Sequence, residues 1–245
     1  MKQKKQISIQ QLILIISLFL IFFQSGSSYS QESNIELWLD YFGYHRLSSK
    51  WDYEGDIGYN KLVTEGGWLD VYFANTFTNQ RISWLPVDGA LELHYTYDPL
   101  LSDVIEIRPF IEPRLIWQTY GKLRPYYPAF GTRLETRFIY YSQNKDMEEK
   151  SRLRLRVTTK IPLNNEIVTE KTYYLSLLLE SFININGEAI ERFASIRRFM
   201  IVIGYAYNQN FRFEFMFYIR QSRNTIEEPF QSTDHMFQFL VRQYF

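Results

Sequence analysis

The run FRFEFMFYIR, Phe211 to Arg220, decides the fold. Phe211, Phe213, Phe215, Phe217 and Ile219 occupy every second position, with Arg212, Glu214, Met216, Tyr218 and Arg220 between them. A period of two puts these sets on opposite faces of a β-strand, whereas a helix would mix them around its circumference. The same split recurs along the chain. In SRLRLRVTTKI, Arg152, Arg154, Arg156 and Lys160 oppose Leu153, Leu155, Val157 and Ile161. In VIEIRPFIEPRLIW, Glu106, Arg108, Glu112 and Arg114 alternate with Ile105, Ile107, Ile111, Leu115 and Trp117. RLETRF sets Arg133, Glu135 and Arg137 against Leu134 and Phe138, and YYLSLLLESFINI sets Ser176, Glu180 and Asn184 against a row of Leu and Ile.

Alternation alone also suits a soluble sandwich that turns its apolar face inward. Length and uniformity favour lipid instead. Many of these runs approach the ~9–11 residues that cross a bilayer obliquely, and their apolar faces are large, Phe after Phe. A sheet in lipid must pair every backbone group within itself, so it closes. The expectation is an all-β, single transmembrane up-and-down antiparallel barrel. The segments 35–46, 51–62, 68–78, 81–85, 90–97, 104–117, 131–142, 151–161, 172–185, 196–207, 211–221 and 235–245 predict twelve strands, with ten as the alternative. Twelve also satisfies parity, since both termini on one side require an even number. NQN at 208–210 and PVDG at 86–89 read as tight turns, while the loops at 143–150, 186–195 and 222–234 read as longer and external. Pro109 and Pro113 fall inside a strand, each removing a ladder donor, and predict a bulge.

The chain opens with MKQKK, then the apolar stretch Ile7 to Phe23, then QSGSSYS. A basic start, an apolar core and small residues for cleavage read as a signal peptide over 1–30, leaving 31–245 as one domain. The apolar stretch is at the lower limit for a spanning helix. Charge is balanced, 27 Lys+Arg against 27 Asp+Glu, which gives no footprint for nucleic acid. Cysteine is absent, excluding disulfides, a thiol nucleophile and a lipid-anchored N-terminus. Phosphate-cradling glycine motifs are missing, and the three histidines lack metal-ligand spacing, so neither cofactor nor metal is expected. HMFQFLVRQYF, His235 to Phe245, alternates to a final aromatic, and Phe245 resembles the assembly signal read by the barrel-assembly machinery of Gram-negative outer membranes. Trp38, Trp51, Trp68, Tyr126, Tyr127, Tyr140, Tyr141, Tyr205 and Tyr207 are candidates for interfacial girdles.

Taken with these patterns, RLETRF, SRLRLRV, LLLESFININ (Leu177 to Asn186), RRFMIVIGY (Arg197 to Tyr205) and the closing HMFQFLVRQYF resemble a family of outer-membrane barrels, domain of unknown function 2490 (DUF2490). The resemblance implies a barrel fold and a bacterial outer-membrane location. It implies no activity and no catalytic residues.

With the apolar face toward lipid, the charged face lines a lumen. Asp52, Glu54, Asp56, Glu106, Arg108, Glu112, Arg114, Arg133, Glu135, Arg137, Arg152, Arg154, Arg156, Glu180, Arg212 and Glu214 form its expected charge network. Glu36, Asp40, Asp52, Glu54, Asp56 and Asp70 would make an acidic wall opposite a basic one on Arg133, Arg137, Arg152, Arg154, Arg156 and Lys160. Two readings follow: a narrow wet passage with a transverse field, or a lumen filled by charges reaching sideways and across. The function is accordingly structural or that of a narrow, charge-filled small-solute channel. The alternatives are a lipid-modifying hydrolase and a barrel that binds partners through its external loops. Ser232, in an expected loop, and His235 are weak catalytic candidates for the hydrolase, because no second element orients the histidine. The expected partners are outer-membrane lipid, the assembly machinery and small solutes, without nucleic acid.

Overall fold

The structure, a computed structural model, describes residues 34–64, 67–99, 102–117, 128–143, 145–186, 195–222 and 231–245. The signal-peptide stretch 1–30 and the girdle candidates Tyr126 and Tyr127 lie outside the described residues, as do most of 186–195 and of 222–234. Eleven strands and no helix are present among the described residues. They are β1 (Asn34–Arg46), β2 (Trp51–Leu62), β3 (Leu69–Asn79), β4 (Val87–Tyr97), β5 (Val104–Ile116) and β6 (Ala129–Tyr141). β7 (Asp146–Pro162), β8 (Thr172–Asn184), β9 (Ser195–Ala206), β10 (Phe211–Ser222) and β11 (Gln231–Tyr244) complete the set.

Each strand pairs with its sequence neighbour in antiparallel fashion, and the sheet closes into a barrel where β1 meets β11. That closing pair is parallel, in register from Asn34 opposite Asp234 to Tyr44 opposite Tyr244. Eleven strands replace the expected twelve because residues 81–85 form a turn, not a strand. Leu85 donates locally to Ile82 (3.0 Å), and the Trp84 and Pro86 carbonyls accept from Ile116 (2.8 Å) and Arg114 (2.9 Å) of β5. Val87, Asp88 and Gly89, expected in a tight turn, extend β4 instead and pair with Asn79, Thr78 and Phe77. With β3 fully occupied by β4, ISWLP adds no strand of its own and only continues the β4 edge toward β5 at Trp84 and Pro86. The odd count overturns the parity argument: Asn34 and Phe245 stand at opposite ends of the barrel.

Two further expectations change. Pro109 and Pro113 cause no bulge. Their pairing to β4 is unbroken, opposite Leu91 and Val87. Toward β6 the register is constant but bridges are missing around 108–109 and 112–113, so the absent N–H groups leave gaps without a slip. β7 starts at Asp146, so most of the loop expected at 143–150 is strand.

The barrel is apolar outside and ionic inside. On β1, Leu39 is 56% exposed on the outer face, while its neighbour Asp40 and, four residues back, Glu36 (0% exposed) are buried on the inner one. Ile57, Phe73, Leu93, Ile107, Ile111, Leu134, Ile203 and Phe215 repeat the exposed apolar surface around the ring. The inner wall also holds an apolar cluster of Val202, Met216, Tyr218, Met236 and Leu240, with Trp38, Phe42 and Met200 against it.

Candidate functional site: the charged lumen

A cavity of about 1220 Å³ occupies the barrel interior. Its lining runs from Asp70, Thr96 and Ser102 near one mouth to Tyr44, Gln80 and Pro86 near the other. Because side chains alternate along each strand, all eleven strands contribute inward-facing residues to this wall.

The arc from β4 to β9 carries a connected ion network. Arg108 donates to Glu106 (2.8 Å) and Glu92 (3.1 Å), and Arg137 grips Glu106 with two nitrogens (2.5 and 2.7 Å). Arg133 joins Glu112 (2.6 Å) to Glu92 (3.2 Å). Arg152 donates to Glu135, which is fully buried. Glu180 receives Arg154 (2.9 Å) and Arg156 (2.8 Å), with Arg198 at 3.6 Å, and Arg156 also reaches Glu112 at 3.3 Å. Register explains much of this: Glu92–Arg108, Glu135–Arg152, Arg156–Glu180 and Glu180–Arg198 sit directly opposite across neighbouring strands. Facing side chains at that separation interact without stretching. Arg133 and Arg154 also sit opposite each other, and each turns away to a carboxylate. Arg114 pairs with Asp88 at 2.8 Å, outside this connected chain.

The arc from β10 through β1 to β3 is built differently. Arg220 bridges Asp234 (2.6 Å) and Glu36 (2.6 Å), tying β10 and β11 to β1 across the seam. Tyr218 donates to Gln238, and Gln238 to Asp40. Asp56 accepts from Tyr72 (3.1 Å), and Asp70 accepts from Asn60 (3.0 Å) and Thr96 (3.0 Å), with His94 Nδ1 at 3.2 Å. Asp52 meets Arg46 at 3.5 Å and Glu54 meets Arg242 at 3.2 Å. Glu214 accepts from Tyr174 and lies 3.6 Å from Arg242, while the Arg212 guanidinium stacks 4.5 Å above Tyr244.

The sequence reading therefore named residues of two different assemblies. Asp52, Glu54 and Asp56 belong to the second arc, and most of the other named charges belong to the first. The acidic β2 and the arginine-rich β7 do lie on opposite sides of the ring, but the β7 arginines engage Glu135, Glu180 and Glu112 on nearby strands, not the far acids. Sequence reasoning missed Glu92, Arg198 and Arg220 as network members and the whole apolar inner cluster. Extending the even-numbered inward register along β9 and β10 would have found the two arginines. Trp38, expected in a girdle, points inward and donates to Glu36 at 3.0 Å, and Trp68 and Tyr141 also line the cavity. Trp51, Tyr140 and Tyr207 are exposed.

Ser232 lies in β11, not a loop, and its side chain is outside the described residues. His235 faces outward with its ring 6.0 Å from Phe217, whereas Asp234 faces inward onto Arg220, so the two diverge. Phe245 stacks on His45 at 4.2 Å and donates its N–H to the Tyr44 carbonyl (3.0 Å) beside the seam. Among the described residues, no three His, Asp or Glu side chains converge as metal ligands.

These features define a closed β-barrel with an ionic interior and an apolar exterior. The family model described as Protein of unknown function (DUF2490) matches residues 35–231, and the chain belongs to that family. The comparison with curated proteins finds no match.

Proposed function

We propose that the protein is a bacterial outer-membrane barrel providing a narrow polar passage for small solutes. The exposed band of Leu, Ile and Phe suits hydrocarbon, and closure leaves no unpaired edge. The observation that carries the passage is the cavity itself, whose charged lining reaches both mouths. Barrels of intermediate strand number stand between those filled by side chains and open porins. Lateral ion pairing holds the arginines against the wall and keeps the axis wet. A second reading, a closed structural barrel, is favoured by the density of that same pairing.

Purified protein reconstituted into planar bilayers separates the two. A passage gives steady, ion-permeable openings of small, uniform size. Silence from protein that is folded and inserted removes the passage and leaves the structural barrel.

A further inference from the structure

The lumen is amphipathic, and that is unexpected of a plain ion passage. Five carboxylates, Glu92, Glu106, Glu112, Glu135 and Glu180, share seven guanidinium groups, those of Arg108, Arg133, Arg137, Arg152, Arg154, Arg156 and Arg198. The arc thus carries surplus positive charge. The surplus is most open at Arg198. Its contact with Glu180 is 3.6 Å, long for a hydrogen bond, and its buried Nε has no partner among the described residues. Arg154 and Arg156, by contrast, reach the same carboxylate at hydrogen-bond distance.

Arg198 also stands at a boundary. The next inward positions on β9 are Met200 and Val202, and Met200 packs on the inner apolar cluster beside Trp38. Tyr218 faces Met200 across the β9–β10 pair, and its ring lies 6.2 Å from that of Trp38. Met200, Met216, Trp38 and Tyr218 all line the cavity, and Met200 and Trp38 are only half-buried. Water against this wall is unfavourable, since apolar surface there gains by being covered. A guanidinium short of acceptors beside uncovered apolar surface matches one ligand chemistry.

We propose that the lumen binds a small amphipathic monocarboxylate, its carboxylate on Arg198 and its aromatic or short alkyl part against Met200, Met216, Tyr218 and Trp38. This rests on the reading of the lumen as a solute passage and names the solute class that the passage takes. The planar guanidinium fork donates two parallel hydrogen bonds to a carboxylate, bonds that Glu180 Oε2, 3.6 Å away, does not receive from Arg198. The cavity volume exceeds that of an ordinary small-molecule site, so a ligand fits with water to spare.

The test is isothermal titration of the full chain, folded in a non-ionic detergent, with 3-phenylpropionate, its neutral amide 3-phenylpropanamide, and acetate. Saturable binding of the phenylpropionate is expected, with the amide and acetate each weaker by about tenfold or more. R198Q should bring the phenylpropionate down to the level of the amide. M200T should weaken phenylpropionate and amide alike, and it keeps the test open should R198Q not fold. Absent phenylpropionate binding by the folded wild type, or equal binding of acid and amide, overturns the proposal. So does undiminished acid binding in folded R198Q. Bilayer conductance keeps the two readings apart. Binding by a barrel that conducts nothing leaves the ligand site standing without the passage, and conductance without binding leaves the passage standing without this ligand.

Discussion

The lumen wall has two arcs that solve the same problem by different means. From β4 to β9, charges face charges across antiparallel pairs, and each carboxylate of the connected network serves at least two arginines. From β10 across the seam to β3, the ion pairs are fewer and separate: Arg220 holds Glu36 and Asp234, Arg242 holds Glu54 and Glu214, Arg46 meets Asp52, and between them stand neutral donors and packed Met, Leu and Tyr. Burying a charge is costly unless it is paired and hydrogen-bonded, so the first arc stands or falls as a unit. The second arc is closer to an ordinary protein core placed on the inside of a barrel. Its location at the parallel β1–β11 closure is consistent with this, since parallel pairing is slightly weaker per residue and gains from packing and tethers beside it.

The sharpest way to break this contrast is Glu180→Ala. Glu180 is 4% exposed and is the shared acceptor of Arg154, Arg156 and Arg198. Its loss strands buried cations, and breaking a buried pair in this way costs about 3–5 kcal/mol. Urea unfolding of the barrel in phospholipid vesicles, followed by tryptophan fluorescence, should show the midpoint falling accordingly. Little change would mean that water already solvates those arginines and that the arc is no unit.

The corresponding change at the seam is Arg220→Met, which leaves Glu36 and Asp234 buried without their shared cation. The expected loss is about 3 kcal/mol, toward the low end of the same range, because the surrounding apolar cluster accommodates the methionine. The double variant Arg220→Met with Asp234→Asn should recover part of it, as one stranded charge is removed. If Arg220→Met cost more than Glu180→Ala, the seam and not the ionic arc would be the stabilising element of the lumen.

Much of this was legible in the sequence, and the gaps have physical causes. The period-two pattern carries the strand faces directly, so Arg152, Arg154 and Arg156 could be placed on one face from their spacing alone. The family resemblance extended the same conclusion over nearly all of the chain after residue 30. Strand number was harder, because it hinges on where the chain reverses. ISWLP has strand composition, and only the continuous β3–β4 pairing shows that it makes no separate strand. Pairing partners were out of reach as well: alternation states which face a charge takes but not which residue stands opposite. The inner apolar cluster was hidden for a related reason. Met216, Tyr218 and Met236 sit on the polar face of their strands, and a reading that equates that face with charge passes over them.

The smallest effects come from a pair of glycines, and they test how closely the seam arc is packed. A Cβ built on Gly58, in β2, would stand 2.0 Å from the Tyr72 ring and 2.3 Å from Asp40 Oδ1. Glycine is needed there because Tyr72 crosses its face to donate to Asp56. Gly58→Ala must push the ring away and strain that hydrogen bond, an overpacking cost of about 1–3 kcal/mol. Gly89, in β4, has nothing within 4 Å of the same position. Gly89→Ala is therefore expected to be neutral or to stabilise by about 0.4–1 kcal/mol, through the reduced freedom of the unfolded chain. Both variants keep the barrel's charge unchanged, so a difference between them in urea midpoint reads packing alone. Equal midpoints would show that Tyr72 swings aside at no cost, and the seam arc would then be no more tightly built than the ionic arc opposite it.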